Sequence, residues 1–159
     1  MRIIVMSDSH RIYSAVQKIM IKQPDADMYI HLGDGEHECD LLKLEYPDKN
    51  FFFLRGNCDL SAELNDQLII PVSDGHRIFA AHGHRFDVKY NTNRILETAI
   101  ANNCDIALFG HSHCRYNGYQ NDVHILNPGS CSCPRDGMGP SFAIIDIVGG
   151  GISKNIVSL

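Results

Sequence analysis

Five apolar runs in this chain each end abruptly in residues able to bind a metal ion, and that repeated event constrains the fold more than any other feature. Arg2-Ile3-Ile4-Val5-Met6 passes through Ser7 into Asp8-Ser9-His10. Met28-Tyr29-Ile30-His31-Leu32 runs into Gly33-Asp34, and Phe51-Phe52-Phe53-Leu54 runs through Arg55 into Gly56-Asn57-Cys58-Asp59. Arg77–Ala81 leads into His82-Gly83-His84, and Ile106–Phe109 leads into Gly110-His111-Ser112-His113. In open α/β sheets the loops at the carboxyl ends of strands line the ligand crevice. If the five runs are strands of one packed core, their ends converge on one site.

The donors delivered there are of three kinds. Asp8 and Asp34 are hard anionic oxygens, Asn57 is a neutral amide oxygen, and His10, His82, His111 and His113 are imidazoles. A mixed oxygen and nitrogen set without thiolate suits Mn, Fe, Ni or Zn, with manganese the first expectation. Seven donors are too many for one catalytic ion that must keep a position open. They suit two divalent metal ions sharing a carboxylate.

Between these runs the pattern alternates. Ile12, Val16, Ile19 and Met20 share one helical face, Ser14 and Gln17 have capping-box spacing, and Pro24 closes the segment. Gly35-Glu36-His37-Glu38-Cys39 opens a second helix that runs past Leu41, Leu42 and Leu44 to Pro47. Its acidic first turn is explained by the helix dipole without a metal, and His37 is expected in solvent. His31, inside a strand, reads as a hydrogen-bonded core residue. Ser73-Asp74-Gly75 between two β-type runs predicts a hairpin. Thr92 or Asn93 starts a third helix with Ile95, Leu96, Ala99 and Ile100 spaced for burial. Short strands dominate thereafter, with turns at Asn121-Asp122 and Gly149-Gly150-Gly151. The expected fold class is α/β: two mixed β-sheets face to face with helices outside, a four-layer αββα sandwich forming one domain over 1–159.

Charge and cysteine content narrow the partners. Lys plus Arg number 14 against 19 Asp plus Glu, which disfavours a strong nucleic-acid surface. No apolar run approaches a bilayer span, so no membrane is expected. Met1 leads straight into a strand without a signal-peptide pattern, and six cysteines without a metal-site spacing read as reduced thiols. The expected location is cytoplasmic, and homo-oligomerisation stays open.

Asp8-x-His10, Gly33-Asp34, Gly56-Asn57-Cys58-Asp59, His82-Gly83-His84 and Gly110-His111-x-His113, in this order, resemble the calcineurin-like metallophosphoesterase superfamily. The small size, Cys58 and Asn127-Pro128-Gly129-Ser130 resemble its compact YfcE-type phosphodiesterase branch. The resemblance implies the αββα fold and a small phosphodiester substrate. It puts Asp8, His10, Asp34 and His113 on one metal and Asp34, Asn57, His82 and His111 on the other, with Asp34 bridging. Such a pair, about 3.5–4 Å apart, lowers the pKa of a shared water so that a hydroxide attacks phosphorus in line.

Asp34, Cys58 and His84 are the residues expected nearest the chemistry. Many superfamily members carry histidine where Cys58 stands, placed to help the departing alkoxide. A thiol is a weak donor, so activated diesters should suffer least from this change. His84 is a candidate to fill part of that role, and a hydrogen-bonding role serves equally well. Arg55, Arg85, Arg115 and Arg135 lie beside the motifs and are candidates to meet phosphate. A retromer subunit shares the fold and acts as a scaffold, so the alternative is a non-catalytic interaction module. The complete ligand set argues for the enzyme.

Overall fold

A computed structural model describes all 159 residues. Two five-stranded sheets pack face to face. The first has the order β10 (Gly151–Ser158), β9 (Ser141–Val148), β1 (Arg2–Met6), β2 (Met28–His31) and β3 (Phe51–Phe53). The second has the order β4 (Gln67–Pro71), β5 (Arg77–Ala81), β6 (Ile106–Leu108), β8 (Val123–Pro128) and β7 (Arg115–Gln120). β1, β2 and β3 run parallel to one another, as do β5, β6 and β8. Hairpins and antiparallel partners fill the flanks. The αββα sandwich expected from the alternation is the fold observed.

Three apolar layers hold these elements together, and strand periodicity assigns residues to them. Ile3, Val5 and Ile30 face Ile78, Leu108 and Leu126 in the core between the sheets. The alternate residues Ile4, Met6 and Tyr29 turn outward onto α1 (Tyr13–Lys22) and α2 (Glu36–Glu45), meeting Val16, Ile19 and Leu42. On the far side Phe79, Ala107 and Ile125 meet Ile95, Leu96 and Ala99 of α3 (Asn93–Ala101). Phe51–Leu54 is apolar throughout because Phe52 contacts the inter-sheet core while Phe51 and Phe53 contact the helix layer.

Several local expectations are corrected. Ser14 does not cap α1, because the helix begins one residue earlier, at Tyr13. Gln17 reaches across to the Glu45 carboxylate instead. Ile12, Leu44 and Ile100 lie at the edges of their helical faces and stay exposed. Glu38 turns inward and is fully buried, with both carboxylate oxygens lacking a hydrogen-bond partner, so the helix dipole alone does not account for its position. Neither Gly35 nor Thr92 supplies a side-chain cap. The amide of Asn93 is taken by the Asn91 side chain.

Candidate metal centre

All five motif loops meet at one end of the sandwich, where the carboxyl ends of β1, β2, β3, β5 and β6 lie close together. Two backbone bonds zip the first pair of loops: Asp8 N–H donates to the Gly33 carbonyl at 3.1 Å, and His10 N–H to the Asp34 carbonyl at 3.0 Å. The third loop approaches so closely that a Cβ on Gly56 would lie 2.0 Å from Asp34 Oδ1. Glycine is needed there for that contact alone. The Cys58 amide then donates to the same Asp34 oxygen at 2.8 Å.

The side chains expected as ligands come together. The ligand atoms of Asp8, His10, Asp34 and His113 all lie within 4.8 Å of one another. His113 Nε2 is 3.3 Å from Asp8 Oδ1, and His10 Nε2 is 3.8 Å from Asp34 Oδ2. On the other flank of Asp34, His82 Nε2 is 3.5 Å from Asp34 Oδ2 and 3.3 Å from Asn57 Oδ1. The His111 ring stands 5.1 Å from that of His82, centroid to centroid. Asp34 therefore sits between the two groups.

Hydrogen bonds behind the ligands fix which atoms face inward. His82 Nδ1–H donates to the Leu32 carbonyl at 2.9 Å, and His113 Nδ1–H donates to the Cys133 carbonyl at 2.7 Å. In the neutral imidazoles the lone pair is then on Nε2, aimed at the carboxylates. His10 Nε2 and His113 Nε2 are only 3.1 Å apart, and Asp8 Oδ1 is buried with no hydrogen-bond partner. Acceptors converge here without enough donors, an arrangement that fits divalent cations.

The electrostatics agree. Burial opposes ionisation of Asp34, but the His82 ring and the Cys58 amide outweigh it and hold the carboxyl well below its usual range. Burial likewise opposes a charge on His82, and Asp34 with Asp8 reverse that and raise its pKa. His111 is lowered to about 4, first by burial, then by His82 and the Lys89 ammonium. His31 is lowered to about 4 by burial and accepts or donates with Ser9 Oγ at 3.0 Å, as a core histidine should.

Backbone strain is concentrated in the same place. Asp8, His10, Asp34, His111 and His113 all adopt positive φ, between 44° and 64°. Left-handed non-glycine residues cost about 1–3 kcal/mol each and persist where surrounding structure over-determines them. Here the inter-loop hydrogen bonds do so.

The remaining candidates divide. Cys58 is exposed at the cleft with His10, Arg11 and Asp34, and His37 leans over the same opening. His84 lies beside the other group, 5.4 Å from His82 and 6.1 Å from His111 by ring centroids. Arg55 and Arg85 are not free for phosphate, because both pair with Asp66. Arg115 is held by Ser141 and Asp136, while Arg135 is exposed. Asn127-Pro128-Gly129-Ser130 is structural: Asn127 Nδ2–H donates to Gly110 O and Ser112 Oγ, and Ser130 O–H donates to Asp8 O.

Asp59 belongs to the site, although nothing in its motif position announced a task. Its carboxylate accepts from the amides of Asp34, Gly35, Glu36 and Gly56 at 2.7–3.0 Å. It thus caps the first turn of α2 from a distant loop and fixes the residue between the two ligand groups.

A family model for the calcineurin-like phosphoesterase superfamily domain matches residues 1–150. The chain is 29% identical over 148 residues to the probable metallophosphoesterase YsnB of Bacillus subtilis, covering 92% of this chain and 85% of that one. It is 28% identical over 162 residues to phosphodiesterase MJ0936 of Methanocaldococcus jannaschii, covering 92% and 93%. Among solved structures, a conserved predicted phosphoesterase from Streptococcus pneumoniae superposes with a TM-score of 0.86 at 28% identity over 99% of this chain and 88% of that one. Zinc-bound Vps29 from Entamoeba histolytica shares the fold, with a TM-score of 0.77 at 19% identity over 99% and 98%.

The Asp59 carboxylate is taken up by four amides, Asp34 N–H among them, so its loss should act through Asp34. Asp59→Ala is expected to cost about 1–3 kcal/mol in denaturant unfolding, since it leaves part-buried amides unpaired. It should also weaken manganese binding by about 10–100-fold, as loss of a group that orients a ligand does. Unfolding curves and manganese titration of the variant check both.

Proposed function

The chain belongs to the calcineurin-like phosphoesterase superfamily, and on that footing we propose that it is a dinuclear metal-dependent phosphodiesterase acting on small phosphodiesters. Asp34, placed between two groups of ligand atoms, is the observation that carries this reading. Asp8, His10, Asp34 and His113 would hold one ion, manganese by preference, and Asp34, Asn57, His82 and His111 would hold the second. Ions bound there supply a water of lowered pKa and neutralise charge on the phosphoryl oxygens.

The chain's own residues do the rest. Leu32 O and Cys133 O hold His82 and His113 in the tautomer that leaves Nε2 free. Hydrolysis joins a water oxygen to phosphorus and breaks one ester P–O bond, and the departing alkoxide takes a proton. Desolvation, and then the Asp34 carboxylate, push the Cys58 thiol up and so favour its S–H form, a weak donor. His84 stands near His82 and His111 as a second group for that proton. A scaffold role would not require seven ligands to be kept together. Six free thiols support a reducing, cytoplasmic setting. The inter-sheet core, shared by both sheets, supports one metallophosphoesterase domain over 1–159.

Manganese-loaded protein should hydrolyse bis-p-nitrophenyl phosphate, and chelation should abolish the reaction. His82→Ala and His111→Ala should fold but be inactive. Absence of hydrolysis across a broad phosphoester panel would favour the scaffold reading.

Position 58 makes a sharper demand. Activated diesters should be preferred over the corresponding monoester. Cys58→His should raise monoesterase rates, most for poor leaving groups, by a part of the 10²–10⁴-fold typical of acid–base help. Rates over leaving groups of graded pKa check this: equally steep lines for both proteins would remove position 58 from leaving-group assistance.

A further inference from the structure

Two pockets of opposite character have linings that adjoin the candidate metal ligands in the chain. Beside His84, a pocket of about 500 Å³ is lined by Asp66, Arg85 and Arg94. Its cations are already neutralised: Arg85 pairs with Asp66 at 2.7 Å and Arg94 with Asp87 at 2.6 Å. A second pocket, of about 370 Å³, is surrounded by Lys89, Tyr90, Asn91, Phe109, Ser112 and Tyr116. That volume lies within the range of about 300–1,000 Å³ usual for small-molecule sites.

Four features of this second pocket suit a planar aromatic group joined to a phosphate. Ser112 stands between His111 and His113, and its Oγ is fixed by Asn127 Nδ2–H at 3.0 Å, so the pocket opens directly beside the ligand loop. Lys89 lines the pocket, is exposed and, unlike Arg85 and Arg94, pairs with no carboxylate. Tyr116 is 39% exposed, 6.0 Å from the buried Phe109 ring between centroids. Its ring lies along β7 over Gly118, where a Cβ would meet Tyr116 Cε1 at 2.8 Å. Glycine at 118 thus lets the ring settle as a platform. Asn91 uses its Oδ1 to accept from the Asn93 amide, which leaves its NH₂ to donate outward.

From this geometry we infer that the pocket seats the nucleoside of a nucleoside phosphodiester, with the base on Tyr116 and the phosphate passing Lys89 and Ser112 to the metal ligands. The inference rests on the phosphodiesterase reading above and names its substrate class. Base–aromatic stacking supplies affinity without demanding one base. The excess of 19 acidic over 14 basic residues favours one or two nucleotides over a long polymer.

Two esters with the same leaving group test it: the p-nitrophenyl esters of thymidine 5′-phosphate and of methyl phosphate, with manganese-loaded protein. Thymidine 5′-phosphate binding is measured alongside by calorimetry. The nucleoside ester should have the higher kcat/KM, mainly through KM. Tyr116→Ala should shrink that preference, and weaken thymidine 5′-phosphate binding, by about tenfold, the scale of one lost base–aromatic stack. Tyr116→Phe should keep both. Lys89→Gln should weaken thymidine 5′-phosphate binding more than thymidine binding. If both esters are hydrolysed and Tyr116→Ala leaves the preference unchanged, the subsite is overturned while the enzyme stands. If neither ester is hydrolysed but the nucleotide binds through Tyr116, the phosphodiesterase reading fails and the pocket survives. If neither hydrolysis nor nucleotide binding occurs, both are overturned.

Discussion

Two carboxylates buried together, Asp8 and Asp34, are the constraint on which the rest of this structure depends. Neither is neutralised by lysine or arginine. The groups that face them most closely are the imidazoles of His10, His82 and His113. His82 and His113 have each spent Nδ1–H on a backbone carbonyl, which turns Nε2 toward the carboxylates. Burying charge without compensation is costly, and a cation is the economical remedy. The site is thus a demand for positive charge built into the end of a rigid sandwich.

What makes the demand sustainable is the supporting shell. Asp59 gathers four amides from two loops, and the Ser130 and Ser132 hydroxyls both donate to the Asp8 carbonyl. These bonds hold the two carboxylate residues, Asp8 and Asp34, at positive φ. Ligands on such loops cannot relax apart when charge or substrate changes, which is the preorganisation that phosphoryl chemistry asks for. The apolar layers beneath, with Val5 and Ile30 facing Ile78 and Leu108 across the sheets, keep the strand ends in register.

The architecture and the convergence of the candidate ligands were legible in the sequence because each of them follows a β-type run, and strand ends have a fixed destination in such sheets. Helix caps and helix margins were less legible. Ser14 had capping spacing, but the helix starts at Tyr13, and the amides at the start of α2 are capped by Asp59 from another loop. Ile12, Leu44 and Ile100 matched apolar periodicity and lie where the buried face ends. Arg55 and Arg85 sat beside motifs yet converge on Asp66, a pairing no local pattern announces. Lys89 and Tyr116 were illegible for the same reason: they line one pocket across a gap in sequence that only the fold closes.

The most direct test of the central claim is the anomalous scattering of manganese in crystals of the loaded protein. Two peaks, about 3.5–4 Å apart with an Asp34 oxygen between them, are the expected result. One should be ringed by Asp8, His10 and His113, and the other by Asn57, His82 and His111. A single peak at full occupancy, or a pair that leaves Asp34 uncoordinated, would contradict the account.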